Sequence, residues 1–186
     1  MNKVIHIIWI GDVPFPRFCN RSYEHHNPGW AVKVWTDDNI PKLYNQEIYD
    51  KVTHPAYKAD IARLEILYEY GGLYVDADTV CLKPLDLPSA PFTSTGNYGN
   101  HCMSVIGFEA GDTLMGDVVH DLMDNVEKTE ENNTHSMAGT KYVRPYWEKV
   151  KKIPREVIGS VLDMNSNMQI MHLYVRSWEN EKQWII

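Results

Sequence analysis

The chain has 186 residues, of which 44% are hydrophobic and 23% are charged, so it is long enough for one domain with a proper core and has an ordinary globular composition. Its net charge of −7 argues against a nucleic-acid partner, because negative charge repels the phosphate backbone. Three widely spaced cysteines argue against a disulfide framework and predict reduced thiols in the cytoplasm.

The N-terminal part of the chain predicts two strands and two helices. Residues 4–10 form an apolar run that is too short for a transmembrane segment and predicts a buried strand. Residues 17–26 predict a short helix, and residues 30–35 predict a second strand. An aspartate at 37 or 38 predicts the N-cap of a helix that runs toward residue 44.

The middle of the chain predicts one long helix that ends at a double glycine. Apolar residues recur at helical spacing over residues 55–70, and Pro55 suits the first turn. So much apolar surface predicts a largely buried helix. Gly71 and Gly72 end it, because glycine adopts the left-handed conformation without penalty. Residues 73–75 then predict a short strand, which residues 79–82 continue.

The second half of the chain predicts further strands and helices around one long polar segment. Residues 127–136 lack periodic apolar side chains and predict a mobile loop that closes over a ligand. The predicted elements are a strand near Phe92, a strand over 104–108, helices over 114–126 and 142–152, and strands over 157–162 and 168–174. Strands that alternate with helices, without a dividing linker, predict a single compact α/β domain with a mixed sheet.

Two carboxylates, Asp76 and Asp78, directly follow the predicted strand over residues 73–75. Acids at i and i+2 on an extended segment can reach one hard cation, and sites in α/β domains lie at the carboxyl ends of strands. Mg²⁺ and Mn²⁺ bind through one or two carboxylates together with substrate phosphates. An isolated Asp-x-Asp is also typical of a solvated turn, but the double glycine and apolar strand before it favour a metal site.

Four other positions have both a functional and a structural interpretation. Asp60 and Arg63 share a helix face, where they can bind a ribose and a phosphate or form an intrahelical pair worth about 0.2–0.5 kcal/mol. Trp9 can stack on a planar base, although a core tryptophan is the more frequent explanation. His172 can supply a third metal ligand or serve the structure alone. His6 is predicted to be an interior histidine.

Four segments, taken in order, resemble one known family: residues 5–11 (IHIIWIG), 27–30 (NPGW), 60–63 (DIAR) and 70–78 (YGGLYVDAD). The series resembles the Asp-x-Asp (DXD) sugar transferases related to the yeast initiating mannosyltransferase and to bacterial capsule enzymes. The catalytic domains of the glucosylating toxins look similar over the same pieces. The resemblance covers about the first ninety residues. It implies a GT-A fold, which is a Rossmann-like mixed sheet flanked by helices, with residues 1–90 as the nucleotide-sugar-binding half and residues 91–186 as the acceptor-side half.

The resemblance also implies roles for individual residues. It implies that Trp9 stacks on the nucleobase, that Asp60 binds ribose or sugar, and that Arg63 contacts the donor. The implied catalytic residues are Arg63, Asp76 and Asp78. The implied ligands of Mn²⁺ or Mg²⁺ are Asp76, Asp78 and His172. The implied donor-binding residues are Ile8, Trp9, Asp60, Arg63, Gly72, Tyr74, Asp76, Ser177 and Trp178, of which the last two resemble the closing Ser-Trp of the family.

The function that the resemblance implies is metal-dependent transfer of a hexose from a nucleotide-diphosphate sugar, with retention of configuration, as in polysaccharide biosynthesis. UDP is favoured as the nucleotide and GDP is the other candidate; the acceptor is a glycan, a lipid-linked sugar or a protein. Two alternatives stay open. One is a haloacid-dehalogenase-type phosphatase, in which Asp76 is the nucleophile and Asp78 the acid/base. The other is a non-catalytic module that binds sugar nucleotides.

Overall fold

Nine strands and six α-helices make up the part of the chain that the computed structural model describes, which is residues 1–96, 99–127 and 138–173. In chain order the strands are β1 (Val4–Ile8), β2 (Ala31–Trp35), β3 (Gly72–Val75), β4 (Thr79–Cys81), β5 (Phe92–Thr95), β6 (His101–Phe108), β7 (Lys151–Ile153), β8 (Ile158–Ser160) and β9 (Ile170–His172). The helices are α1 (Arg17–His26), α2 (Gln46–Lys51), α3 (Pro55–Tyr70), α4 (Thr113–His120), α5 (Leu122–Glu127) and α6 (Thr140–Val143).

A six-stranded mixed sheet in the order β2-β1-β3-β6-β5-β7 forms the centre of the fold. β1 is parallel to both of its neighbours, β2 and β3, whereas β6 is antiparallel to β3 and β5. A second sheet in the order β4-β9-β8 is small, with β9 antiparallel to β4 and parallel to β8. This architecture confirms the predicted α/β class with a mixed sheet.

Helices cover both faces of the large sheet because successive side chains of a strand point to opposite faces. On one face, Tyr74 of β3 packs in a cluster with buried residues of α3 and α4. On the other face, Leu73 and Val75 pack in a second cluster that includes Tyr23 of α1. β3 is therefore buried on both faces, and its carboxyl end has a fixed position.

The long helix α3 ends where the sequence predicts, and the double glycine is required there. Gly71 and Gly72 have φ angles of 60° and 98°, which favour glycine. A β-carbon on Gly71 would lie 2.4 Å from the amide nitrogen of Ala110, and one on Gly72 would lie 2.6 Å from the carbonyl oxygen of Val4. The two glycines therefore let α3 turn directly into a strand that packs closely beside β1.

Two helix predictions are wrong, and both errors involve proline. The predicted helix toward residue 44 is replaced by a turn, in which the Asn39 side chain bonds the backbone of Thr36 and Val34, and Pro41 interrupts the segment. The predicted helix over residues 142–152 is instead α6, a short 3-10 turn and strand β7, because Pro145 lacks an amide proton and restricts the residue before it.

The predicted helix over residues 114–126 is divided into α4 and α5 at Asp121, which accepts a hydrogen bond from the Tyr146 hydroxyl. Within the described residues, no helix has both the length and the apolar character needed to cross a membrane. The predicted mobile loop beyond Glu127 lies outside the described residues, as do the end of the last predicted strand and the Ser177–Trp178 pair.

Candidate metal centre

Three side chains converge at the carboxyl end of β3: those of Asp76, Asp78 and His172. The imidazole Nε2 of His172 lies 3.3 Å from Oδ2 of Asp76 and 3.3 Å from Oδ1 of Asp78. One ligand atom from each residue lies within 4.8 Å of the other two. The structure thus brings together the three residues that the sequence predicts as metal ligands. His172 is distant from the two acids in sequence and reaches them because β9 pairs with β4, with Thr79 opposite His172.

Backbone hydrogen bonds fix the turn that carries the two acids. The Asp76 amide donates to the carbonyl of Ser104 on β6 at 2.8 Å, which continues the sheet one residue beyond β3. The Thr79 amide donates back to the carbonyl of Asp76 at 3.1 Å and closes the turn. The Leu173 amide donates to the carbonyl of Asp78 at 2.9 Å. The Asp-x-Asp turn is therefore held by both sheets.

The other carboxylate oxygen of Asp76, Oδ1, belongs to a buried network around Arg63. The Tyr74 hydroxyl donates to Oδ1 of Asp76 at 2.8 Å, and Arg63 donates to the same oxygen at 3.3 Å. Arg63 also bonds the carboxylate of Asp60, one turn earlier on α3, and the carbonyl of Met103 at 3.1 Å. Only 7% of the Arg63 surface is exposed. The predicted Asp60–Arg63 pair is thus a buried pair that anchors Asp76.

The neighbouring charges determine the protonation of the cluster. Burial raises the pKa of Asp76, but the hydrogen bond from His172, the charges of Arg63 and His172, and the Tyr74 hydroxyl outweigh it, so the pKa lies below its ordinary value. Burial lowers the pKa of His172, but the hydrogen bond to Asp76 and the charges of both acids outweigh it and raise the pKa. The Asp76 carboxylate therefore stays ionised and attracts a positive partner.

The donor set fits a hard divalent cation. Two carboxylate oxygens and an imidazole nitrogen are ligands that such ions accept in proteins. Asp60, Asp76 and Asp78 carry three negative charges, whereas Arg63 supplies one positive charge, so the group retains excess negative charge even with a protonated His172. A cation bound by Asp76, Asp78 and His172 would neutralise that excess.

Two of the other predicted donor-binding residues, Ile8 and Trp9, lie at the carboxyl end of β1. Trp9 directly follows β1, which is parallel to β3, so it lies at the same edge of the sheet as Asp76; its indole donates to the Val13 carbonyl at 2.6 Å and packs against Phe15. Ile8 is a core residue, 3% exposed. The predicted interior position of His6 is confirmed, since it is 1% exposed and bonded to the Gly71 carbonyl.

Gly72 and Tyr74 have structural positions on β3. Gly72 starts the strand, at the end away from the acids, and packs against β1. Tyr74 is 2% exposed and contacts Asp76 through its hydroxyl. Neither residue joins the three converging ligand groups. Sequence reasoning missed Thr79, which bonds the Asp-x-Asp turn through its hydroxyl at 2.6 Å; its position directly after the motif was the available signal.

Comparison with known proteins agrees with this geometry. Residues 17–95 match a family described as the glycosyltransferase sugar-binding region containing the DXD motif. Inositol phosphoceramide mannosyltransferase 1 of Schizosaccharomyces pombe is 33% identical over 96 residues, which are 45% of this chain and 30% of that protein. An uncharacterized glycosyltransferase of Acanthamoeba polyphaga mimivirus is 29% identical over 159 residues, which are 76% of this chain and 62% of that protein.

Among solved structures, the PaToxG glycosyltransferase superposes with a TM-score of 0.66 and 18% identity, over 80% of this chain and 68% of that chain. A likeness at this identity supports the fold. The chain spans less than two thirds of the length of both curated relatives. The sequence match includes the Asp-x-Asp motif, and the fold carries that motif at the end of a central strand. The chain therefore has a GT-A fold, and its residues 17–95 are similar to the DXD-containing sugar-binding region of glycosyltransferases.

Proposed function

We propose that this protein transfers a hexose from a nucleotide-diphosphate sugar to an acceptor, with Mn²⁺ or Mg²⁺ bound by Asp76, Asp78 and His172. One observation carries the proposal: in a chain that matches the DXD glycosyltransferases, these three side chains converge within 4.8 Å at the carboxyl end of β3. A divalent cation, when bound, supplies positive charge that stabilises a leaving diphosphate.

The chain's own residues would position the donor. In this proposal Trp9 stacks on the nucleobase at the end of β1, and Asp60 and Arg63 contact the ribose and the diphosphate side. Arg63 also holds Oδ1 of Asp76, so that Oδ2 points toward His172 and Asp78. Such fixed charges need no reorganisation during the reaction, which is the main source of electrostatic catalysis.

We propose retention of configuration, in which the acceptor attacks from the face of the leaving group. In that course the leaving diphosphate takes the acceptor's proton, so a separate general base is not required.

UDP is the favoured nucleotide and GDP the second. Two matched relatives are named as inositol phosphoceramide mannosyltransferases, which supports a hexose donor and a lipid-linked acceptor; a glycan and a protein are the other acceptors to test. The free thiols Cys19, Cys81 and Cys102 support a cytoplasmic location.

The match of residues 17–95 to a glycosyltransferase region favours the transferase over the phosphatase alternative. The non-catalytic alternative differs from the enzyme only in turnover. It predicts that a sugar nucleotide binds in the presence of Mn²⁺ and is never cleaved, whereas the enzyme releases a nucleoside diphosphate. The two are therefore separated by measuring binding and cleavage on the same samples.

The test is a panel of UDP- and GDP-hexoses incubated with the protein and Mn²⁺, with release of nucleoside diphosphate as the readout. We expect release from at least one donor and its loss on chelation with EDTA. Asp78→Asn should lower it by about 100- to 1000-fold, while Asp38→Asn, a change at an exposed acid outside the cluster, should leave it unchanged. Binding without release by the wild type would favour the module. Equal release by Asp78→Asn and wild type would overturn the proposed site.

A further inference from the structure

We infer that Tyr23, on α1, is a positioning residue for the candidate metal centre and acts through the hydroxyl of Thr79; the inference rests on the proposed metal site. Thr79 is the first residue of β4 and follows Asp78 directly. Its hydroxyl donates to the carbonyl of Asp76 at 2.6 Å, alongside the bond from its own amide. One residue thus closes the turn that carries both acids.

Thr79 also links the turn to the third ligand. In the antiparallel pairing of β4 with β9, Thr79 lies opposite His172. A shift of Thr79 would therefore move the Asp76–Asp78 turn and the register of His172 together. Because the three ligand atoms lie within 4.8 Å of one another, a displacement of a few tenths of an ångström alters the fit of an ion.

The direction of the hydrogen bonds makes Tyr23 the donor. The Tyr23 hydroxyl lies 2.8 Å from the Thr79 hydroxyl, and both residues are fully buried. A threonine hydroxyl has one proton, and that of Thr79 is directed at the Asp76 carbonyl. Thr79 must therefore accept from Tyr23. The chain of bonds runs from Tyr23 to Thr79 to Asp76, and it fixes a hydroxyl that would otherwise rotate.

The same helix holds the rest of β4. The Ser22 hydroxyl accepts a hydrogen bond from the backbone amide of Cys81 at 2.9 Å. The side-chain amide of Asn27, directly after α1, donates to the Cys81 sulfur at 3.3 Å. β4 belongs to the small sheet and not to the large one. Because α1 also packs on the face of the large sheet that contains residues of β1 and β3, it connects β4 to that sheet. Tyr23 bonds Thr79, the residue that directly follows Asp78.

The experiment titrates Mn²⁺ into the purified protein and follows the free ion by electron paramagnetic resonance, without donor or acceptor. We expect Tyr23→Phe and Thr79→Val to weaken Mn²⁺ affinity by roughly tenfold each, as changes beside metal ligands typically do. The double variant should lose little more than either single variant, because both changes break one chain of bonds. Thr79→Ser keeps the hydroxyl and should retain the wild-type affinity.

Tyr142→Phe is the matched control. The Tyr142 hydroxyl is also buried and donates to a backbone carbonyl, that of Val118, at 2.5 Å, but it lies on another element. It should lower the urea midpoint of unfolding about as much as Tyr23→Phe and leave Mn²⁺ affinity unchanged.

Each outcome has a separate meaning. Unchanged Mn²⁺ affinity in Tyr23→Phe, beside a wild type that binds one ion, would overturn this inference and leave the proposed metal site intact. An equal loss of affinity in Tyr142→Phe would also overturn it, because general loosening of the fold would then explain both. A wild type that binds no Mn²⁺ would overturn the metal site and the inference together.

Discussion

The two sides of the Asp76 carboxylate differ in what balances their charge. On the anchor side, defined by Arg63, Tyr74 and Asp60, a buried guanidinium and a phenol hydroxyl hold Oδ1. On the ligand side, defined by Asp78 and His172, Oδ2 and a second carboxylate share an imidazole. The fold thus uses one oxygen to orient the residue and directs the other toward an added cation. Changes on the anchor side should therefore affect stability, and changes on the ligand side should affect activity.

The largest expected effect is on the ligand side. Asp78→Asn keeps the shape of the side chain and removes its charge, so donor cleavage should fall by about 100- to 1000-fold. Folding stability without metal should be equal or higher, because the change removes repulsion between two close carboxylates. Nucleotide release and urea unfolding of the same preparation measure the two quantities. A variant that loses stability and activity in parallel would break the proposed distinction between the sides.

Removing the cation of the anchor side should chiefly destabilise the protein. Arg63→Met leaves Asp60 and Asp76 without their buried guanidinium and should lower the free energy of unfolding by about 3–5 kcal/mol. The exposed Lys51–Glu47 pair on α2 is the control, since solvent screens it and Lys51→Ala should leave the free energy of unfolding nearly unchanged. Urea unfolding measures both variants. Similar small losses in both would show that the Arg63 network does not anchor the site.

A buried polar network around His6, away from the carboxylates, should make the stability of the protein depend on pH. The His6 ring accepts from the Trp35 indole at Nδ1 and lies beside the Gly71 carbonyl at Nε2, so it is neutral in the folded protein. Burial lowers its pKa to about 4, and the charge of Lys33 acts in the same direction, against the raising effect of the bond to Gly71. This pKa lies below the value of about 6.5 expected for an unfolded chain.

Lowering the pH should therefore destabilise the folded protein through His6. Above pH 6.5 neither state binds the proton, so the full stability is present; between pH 6.5 and 4 the unfolded chain takes up a proton that the folded protein does not. His6 should therefore cost up to about 3 kcal/mol of stability as the pH falls through this range. We expect His6→Gln to be less stable than wild type at pH 7.5 and the gap to narrow by pH 4.5 in urea unfolding. A constant gap would contradict the assignment of a neutral buried histidine.

The smallest expected effect concerns the phenol of the anchor side. Tyr74→Phe removes one hydrogen bond to Asp76 and should cost about 1 kcal/mol of unfolding free energy. Since that bond helps to lower the pKa of Asp76, the pKa should rise in the variant. Carboxyl chemical shifts in an NMR titration report the pKa directly. An unchanged Asp76 pKa would mean that Arg63 and His172 alone hold the charge.

Local pattern predicted the parts of the site that one segment determines. The apolar spacing of α3, the double glycine and the strand before Asp76 lie within 24 consecutive positions from Pro55 to Asp78, so the end of β3 could be placed from the sequence alone. From its own segment His172 could be a metal ligand or a structural residue, and only the family resemblance favoured the ligand. Its place beside the acids depends on the pairing of β4 with β9, which joins distant segments, and long-range pairing leaves no local periodicity to read.

The errors have equally specific causes. Pro41 and Pro145 interrupt the two segments that were predicted as helices, and in the first of them the side-chain bonds of Asn39 stabilise a turn instead. The role of Thr79 could not be weighed because the partner of its hydroxyl, Tyr23, belongs to a helix that precedes it by more than fifty positions. Buried hydrogen-bond networks between distant elements are the part of a site that sequence patterns do not encode locally.

The central claim is that Asp76, Asp78 and His172 bind one divalent cation. The most direct test is diffraction from crystals soaked in Mn²⁺, with data collected near the manganese absorption edge. We expect an anomalous peak among the three side chains in the wild type and no peak there in Asp78→Asn crystals treated in the same way. A wild-type cluster without a peak at saturating Mn²⁺, or a peak bound elsewhere, would contradict it.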